Sequence, residues 1–253
     1  MNETYHYSKG VLEVAVRNAL GLEPWVWLGD VSELSFTLGE DKFSHKESYS
    51  GKNAEVREIS LGITVEGSAT MHTLSTENIA RFTDGTATSQ ASGTVTDESL
   101  GTVAAGDVLV LDHFGPSSLV VTDSAGAPVT IAAEHYEYDQ FGELTFTTLP
   151  TTPAPTMPLK VAYAHAAYKS AVLLNGQRSE LALRYKGINL AEGGKPVLVE
   201  FYKVSPGLLQ TLSLISSGNQ LASAPVSFKP LLDASKPATG PLGQYGRIVT
   251  IGY

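Results

Sequence analysis

Glu55-Val-Arg-Glu-Ile-Ser-Leu-Gly-Ile-Thr-Val-Glu-Gly-Ser-Ala-Thr-Met-His-Thr-Leu74 is the stretch that decides the fold class. Polar and apolar residues alternate through it with a period of two, the signature of a half-buried strand. Ile59, Leu61, Ile63 and Val65 are expected on one face of one long strand, or of two joined ones. The same pattern surrounds it. Upstream, Leu12, Val14 and Val16 interleave with Val11, Glu13, Ala15 and Arg17; Trp25-Val-Trp27 puts two indoles on one side; and Val31-Ser-Glu-Leu-Ser-Phe-Thr-Leu38 reads as a strand. Downstream, strands are expected over 108–112, 118–122, 127–138, 143–148, 159–166, 168–174, 178–186, 196–204, 208–215, 224–229 and 246–252. Ser124-Ala-Gly126, Gln140-Phe-Gly142, Asn175-Gly176 and Gly193-Gly194 supply turns between them.

One helix interrupts the strands. Ser75 is a good N-cap, Glu77 lies at the positive end of the dipole, Ile79, Ala80 and Phe82 follow, and Asp84-Gly85 ends the run. Two turns cannot stand alone, so this helix must lie on a sheet. The expected class is all-β with one short helix.

Composition narrows the function. The chain has 253 residues, enough for one larger all-β domain or two small ones. It has no cysteine, which excludes disulfides, thiolate metal sites and a cysteine nucleophile. No apolar run reaches the ~18–20 residues of a membrane span. Met1-Asn-Glu-Thr-Tyr-His6 has no basic start followed by an apolar run, so no signal peptide is expected. The net charge of −9 opposes any grip on nucleic acid by phosphate neutralisation. That charge is uneven: residues 1–88 carry −6, 89–169 carry −7 and 170–253 carry +4. Acidic and basic ends of this kind suit head-to-tail contact between copies.

Three segments stand apart. Thr86–Gly93 is small, polar and without period, and Leu149–Pro158 holds four prolines in ten residues and cannot be a central strand. They suggest an inserted small β domain over 94–168 within a host of 1–93 and 169–253. Residues 39–53 have no clear period and are expected as a long loop, a kind that is usually functional.

No catalytic constellation emerges. His6, His45, His72, His113, His135 and His165 are scattered without metal-ligand spacing, and no nucleophile elbow or phosphate loop is present. Gly240, Gly243 and Gly246 lack the strand-turn-helix frame of a phosphate cradle. Glu134, Glu137, Asp139 and Glu143 lie on an expected hairpin. A pair such as Glu137 and Glu143 could face across it as in a glycosidase, or could simply keep the hairpin solvated. Tyr136, Tyr138, Phe141 and Phe146 could form a sugar platform, but small-core roles are favoured. No catalytic residue, cofactor or metal is expected.

Val26-Trp-Leu-Gly-Asp-Val-Ser-Glu-Leu-Ser-Phe-Thr-Leu38 followed by Asp41-Lys-Phe-Ser-His-Lys-Glu-Ser-Tyr-Ser-Gly51 resembles the opening of major tail tube proteins of long, flexible-tailed bacteriophages. The resemblance continues through Val56–Val65, Ser75–Ala80, Leu183–Asn189, Lys195–Lys203 and Gly246–Ile251, about two-thirds of the chain. It implies a β-sandwich or half-barrel that completes an inner β-barrel in a hexameric ring. Stacked rings form a tube through which double-stranded DNA passes without specific binding. Implied partners are further copies of the chain and other tail proteins such as tape measure, terminator and baseplate. The implied location is the virion tail, assembled in the host cytoplasm, with no membrane. In this reading the 39–53 loop reaches a neighbouring subunit through Lys42, Phe43, His45, Lys46, Glu47 and Tyr49. A terminator or baseplate hub ring, or a glycan-binding β-sandwich module, are the other readings.

Overall fold

A computed structural model describes residues 5–176, 178–215 and 221–252. The first four residues of the Met1–His6 segment lie outside them. The fold is all-β with one helix, 52% strand and 5% helical, and its sheets do not close. The chain divides into two compact units, one of 1–87 with 171–253 and one of 88–170. The second begins six residues before the expected insertion and ends two after it.

The outer unit opens with β1 (Ser8–Asn18), β2 (Gly21–Leu22), β3 (Val26–Trp27), β4 (Val31–Lys46), β5 (Glu55–Met71) and α1 (Thr76–Phe82). β6 (Thr86–Gln90) crosses into the inserted unit, which holds β7 (Gly93–Gly101), β8 (Val108–Val110), β9 (Ser117–Thr122), β10 (Thr130–Ile131), β11 (Tyr136–Tyr138), β12 (Glu143–Phe146) and β13 (Leu159–His165), and β14 (Tyr168–Val172) crosses out of it. The chain then returns to the outer unit as β15 (Leu181–Asn189), β16 (Lys195–Pro206), β17 (Ala224–Pro230) and β18 (Gly246–Thr250).

The main sheet runs β2-β1-β15-β16-β17-β5-β4, with β3 also on β1 and β18 also on β16. It forks at β16: Val197–Phe201 pair with β18, whereas Val204–Pro206 pair with β17. The fork sets two limbs around one core. Leu12, Val14, Leu181 and Leu183 come from β1 and β15; Ala69, Met71, Val226 and Phe228 come from β5 and β17. Phe36 on β4 meets Phe201 on β16 with ring centroids 4.5 Å apart.

Helix α1 forms where the capping signals place it. The Ser75 hydroxyl accepts from the Asn78 backbone N–H, 3.2 Å. Asn78 is buried but fully partnered: its amide donates to the Leu28 and Thr73 carbonyls at 2.9 and 3.1 Å, and its Oδ1 accepts from Arg81. Phe82 enters the core edge-on to Phe228. Two turns of helix are thus fixed by one satisfied buried amide and one buried ring.

The inserted unit has its own core. A four-stranded sheet, β10-β9-β13-β7, and a three-stranded sheet, β11-β12-β8, contribute Val121, Val161, Leu159, Leu144, Phe146 and Tyr136 to it. The ribbon β6–β14 forms where the chain enters and leaves, with the Thr88 and Ser170 hydroxyls 2.7 Å apart.

Four expectations need correction. Residues 86–90, within the expected seam where the chain passes into the inserted unit, are a strand; every side chain is exposed, so neither face demands an apolar residue and no period appears. The strand expected over 127–138 is two short strands separated by a 3-10 turn at Ala133–His135, because β10 and β11 belong to different sheets. Residues 208–215 form no strand, and Leu214 and Ile215 are exposed. The 39–53 loop is mostly strand: β4 continues to Lys46, and only the turn before Glu55 is irregular. Its period is hidden because both faces of that part of β4 are exposed.

Two separate cores predict separable losses. Phe146→Ala empties a fully buried site of the inserted unit and should cost about 3–5 kcal/mol there. Hydrogen exchange should quicken across 93–165 while β1, β15 and β16 keep their protection. Equal loss in both units would show a single cooperative body.

Candidate functional site

β4 and β5 form one antiparallel hairpin from Val31↔Met71 to Lys46↔Glu55. Its base belongs to the core. Val65, Ala69 and Met71 are buried on one face of β5, and Val31, Leu34 and Phe36 pack against the same core from β4. Two residues further out the cover ends. Leu38, opposite Val65, is 78% exposed; Ile63 is 63% and Leu61 69% exposed. The core-facing row therefore continues as an uncovered aliphatic strip. Directly opposed residues share a face, so Glu40 lies with Ile63 on this side.

A bulge changes the face of the outer residues. Asp41 pairs with Gly62 but Lys42 pairs with Ser60, leaving Leu61 as the extra residue. Ile59 then stands opposite Phe43. It is on the other face from Ile63, which corrects the expectation that all four apolar residues share one side; Leu61, the extra residue, has no partner on β4. Phe43 and Ile59 are about half exposed and form a cross-strand pair there. The rest of that face is largely polar, with Thr37 opposite Glu66 and Gly39 opposite Thr64.

The six candidate contact residues divide accordingly. Lys42 is held within the hairpin, its Nζ 2.7 Å from Glu58 and 3.4 Å from Glu40. Hydrogen bonds to Glu58 and Glu40 push its ammonium up from the usual lysine range. His45 and Lys46 are exposed opposite Arg57 and Glu55. Tyr49 is 85% exposed at the tip. Glu47 is the exception: it is only 4% exposed and turned into its own loop. Its carboxylate accepts from the Ser50 hydroxyl and from the Ser50 and Tyr49 backbone N–H groups at 2.8 and 3.2 Å, while its own N–H donates to the Ala54 carbonyl. Glu47 closes the turn; it is not presented to a partner.

The outer edge of β4 is the end of the sheet, and β18 has only β16 beside it among the described residues. Both edges offer backbone donors and acceptors to another strand. Ile248 on β18 is 73% exposed.

The basic C-terminal third is spent within the chain. Arg184 and Lys186 both bond Glu13 across the β1–β15 ladder, and Arg178 bonds Asp84. Lys203 bonds Glu180, and Arg247 bonds Glu200. The outer unit carries 15 basic and 17 acidic residues, the inserted unit 2 and 9. The charge asymmetry read along the sequence is therefore an excess of acid in the insertion, not a basic face awaiting an acidic one.

Glu137 and Glu143 are not directly opposed but stand as diagonal neighbours on one face of the β11–β12 ladder. Glu137 stands opposite Thr145 and Glu143 opposite Val110. Asp139 Oδ1 accepts from the Phe141 and Glu143 N–H groups at 2.8 and 3.0 Å and so shapes the hairpin turn. Tyr136 and Phe146 are core, while Tyr138 and Phe141 are exposed. The turn bearing Phe141 bonds the 113–115 loop, Gly115 N–H to the Gln140 carbonyl, at the end of the unit where the chain enters and leaves. His113 and His165 stack at 4.1 Å, with the Tyr168 hydroxyl 3.1 Å from His113 Nδ1. No group of three potential metal ligands occurs among the described residues, and none of their helices is long and apolar enough to cross a membrane.

Sequence reasoning missed Leu38 and the bulge. Leu38 was the last residue of an expected strand. Its exposure depends on where the opposite layer stops, which local pattern does not encode.

Glu47 gives a pH-dependent test. Its hydrogen bonds to the Ser50 hydroxyl, then to the Ser50 backbone, hold its carboxyl below the usual glutamate range. The folded value is depressed, so this stabilisation is present above the unfolded value and is lost as pH falls through the folded one. Amide exchange at residues 47–54, corrected for intrinsic rate, should quicken on acidification below pH ~4.5. Glu47→Gln should show the loosened tip already at pH 7. A tip equally protected in both proteins at both pH values contradicts this role.

No curated protein matches the chain. A family model described as "Protein of unknown function UCP028589" matches residues 5–249. That match reaches into both units and covers every strand discussed above except the last residue of β18, and the chain belongs to this family.

Proposed function

We propose that the protein is a structural subunit that self-assembles into hexameric rings, stacked as the tail tube of a long, flexible-tailed bacteriophage. The observation that carries this reading is the β4–β5 hairpin. Its core-facing row runs out through Leu38 and Ile63 from beneath its own core, with Leu61 exposed at the bulge, beside a free sheet edge. An isolated two-stranded ribbon is marginal in water, and an exposed, long edge strand is a template for pairing. A neighbouring copy at this hairpin satisfies both demands. Heterologous repetition of one such contact closes a ring when the rotation permits.

The largely polar face of the hairpin supports a lumen role. Thr37, Asp41, Thr64 and Glu66 share it by register. A conduit for DNA must not hold its cargo, and an acidic or neutral polar wall does not trap phosphates. Double-stranded DNA then passes without specific contact. The other partners in this reading are the tape measure, terminator and baseplate proteins, and the location is the virion tail. The inserted unit, with its own core, decorates this scaffold. A terminator or hub ring shares the same surface logic, and copy number in the particle distinguishes them, because a tube subunit occurs in many rings.

Electron microscopy of the concentrated protein is expected to show rings or tubes with a central hole. A protein that stays monomeric at every concentration and is absent from virions overturns the reading. Ile63→Glu places a charge on the strip outside the core, so the fold should survive. Losing one buried aliphatic contact, about 2 kcal/mol, should weaken self-association roughly 30-fold per interface, read by analytical ultracentrifugation.

A further inference from the structure

At the end of the inserted unit where the chain enters and leaves, three rings meet outside its hydrophobic core. His113 lies in the turn between β8 and β9, His165 ends β13, and Tyr168 opens β14, the strand by which the chain departs. The two imidazoles stack face to face, with centroids 4.1 Å apart and planes 9° from parallel. The Tyr168 hydroxyl lies 3.1 Å from His113 Nδ1, and its ring packs edge-on to Phe114 at 5.0 Å. Backbone closes the same corner: the Ala166 N–H is shared between the Phe114 and Gly115 carbonyls, at 3.2 Å from each. Gly93, opposite His165 on β7, leaves room for the ring, since a Cβ there would come within 2.9 Å of His165 Nε2.

The stack limits how many protons this corner can hold. His165 is only 7% exposed. Its Nδ1 lies 3.0 Å from the Ala166 carbonyl, which can only accept, so Nδ1 carries the hydrogen and Nε2 is the atom left to take a proton. The charged groups of the surrounding elements have other partners. On β7, Glu98 accepts from the Tyr163 hydroxyl of β13 at 2.6 Å and from the Asp112 backbone N–H at 3.1 Å. In the nearby hairpin turn, Asp139 accepts from the Phe141 and Glu143 N–H groups. Asp112 and Lys169 flank the cluster in sequence, beside His113 and Tyr168. The one histidine ion pair among the described residues is that of His135 with Glu134. One proton on the stack leaves a cation against a neutral ring. Two put like charges 4.1 Å apart in a partly desolvated corner, and both burial and like charge disfavour that state.

We infer that the His113–His165 stack is an acid-sensitive clasp, which holds the exit strand of the inserted unit against its body through Tyr168. Imidazole is the side chain whose charge changes between about pH 5 and 8, above the carboxylate range. The open corner can take two protons where the closed one takes fewer, so the closed form is favoured at higher pH and loses ground as pH falls. The clasp lies wholly within the inserted unit and does not depend on the assembly reading above.

Native-state amide exchange of the whole protein, corrected for intrinsic rate, tests this at about pH 7.5 and about pH 5. Exchange over 113–117 and 164–168 should quicken roughly tenfold on acidification, while Val121, Leu144 and Phe146 in the core of the unit keep their protection. His113→Phe keeps a flat ring in the stack and takes no proton; His113→Gln keeps a hydrogen-bonding group beside Tyr168 and takes none either. Both should abolish the acid response, and His135→Gln, outside the cluster, should retain it. A wild-type corner equally protected at both pH values overturns the inference, as does an acid response that survives in both His113 variants or disappears in His135→Gln. Variants of His113 that are open at both pH values would show a packing element and not a switch, and overturn it as well.

Discussion

A β-sheet face is buried only as far as the layer opposite it extends, and in this chain the two lengths differ. The core closes over β5 from Met71 to Val65 and over β4 at Phe36. Beyond that point the hairpin continues to Lys46 and Glu55 with no second layer. Its own devices then keep it ordered. Lys42 ties Glu40 to Glu58 across the ribbon, the Glu47 carboxylate closes the turn, and the bulge at Leu61 breaks the straight edge that would invite unspecific pairing. Exposed ion pairs of this kind add little to stability because solvent screens them. They hold register; they do not replace the missing layer.

Much of the architecture was legible because period and capping are local properties. The alternation in Glu55–Met71 and in Leu12–Val16 reports one buried face, and the structure buries Val65, Ala69 and Met71, and Leu12 and Val14. Ser75 caps α1 as its residue type requires. The illegible parts share one cause. Where both faces meet solvent, selection for apolar residues on one side disappears and so does the period. Residues 86–90 and 39–46 are strands of this type. The face of Ile59 was illegible for another reason. A bulge is set by pairing between strands, and one extra residue moves every later side chain to the opposite face. Among the candidate contact residues, Tyr49 and Phe43 stand exposed on the hairpin. Glu47 has the same kind of neighbours but is drawn inward by the Ser50 hydroxyl and backbone.

The charge pattern shows how topology can cancel a trend along the sequence. Residues 170–253 are basic and residues 1–88 acidic, yet antiparallel pairing of β1 with β15 lays Glu13 beside Arg184 and Lys186. Arg17 likewise reaches Asp233, and Arg178 reaches Asp84. Charges far apart in sequence become neighbours in the sheet, and the outer unit is left close to neutral. The insertion has few cations for its acids and keeps its net −7.

This neutralisation bears on how copies could associate. Opposite charge at the two ends of the chain is not available to draw subunits together, since most of it is satisfied inside each subunit. What the outer unit leaves unsatisfied is apolar and backbone in character: Leu38, Leu61 and Ile63 on the hairpin, Ile248 on β18, and the edges of β4 and β18. Apolar burial supplies free energy without direction, whereas edge pairing supplies direction with modest net free energy. A contact that used both would be strong and fixed in register, the combination a repeating ring requires. The insertion's like charge opposes close approach of one insertion to another, whereas the outer unit, with 15 basic and 17 acidic residues, is close to neutral.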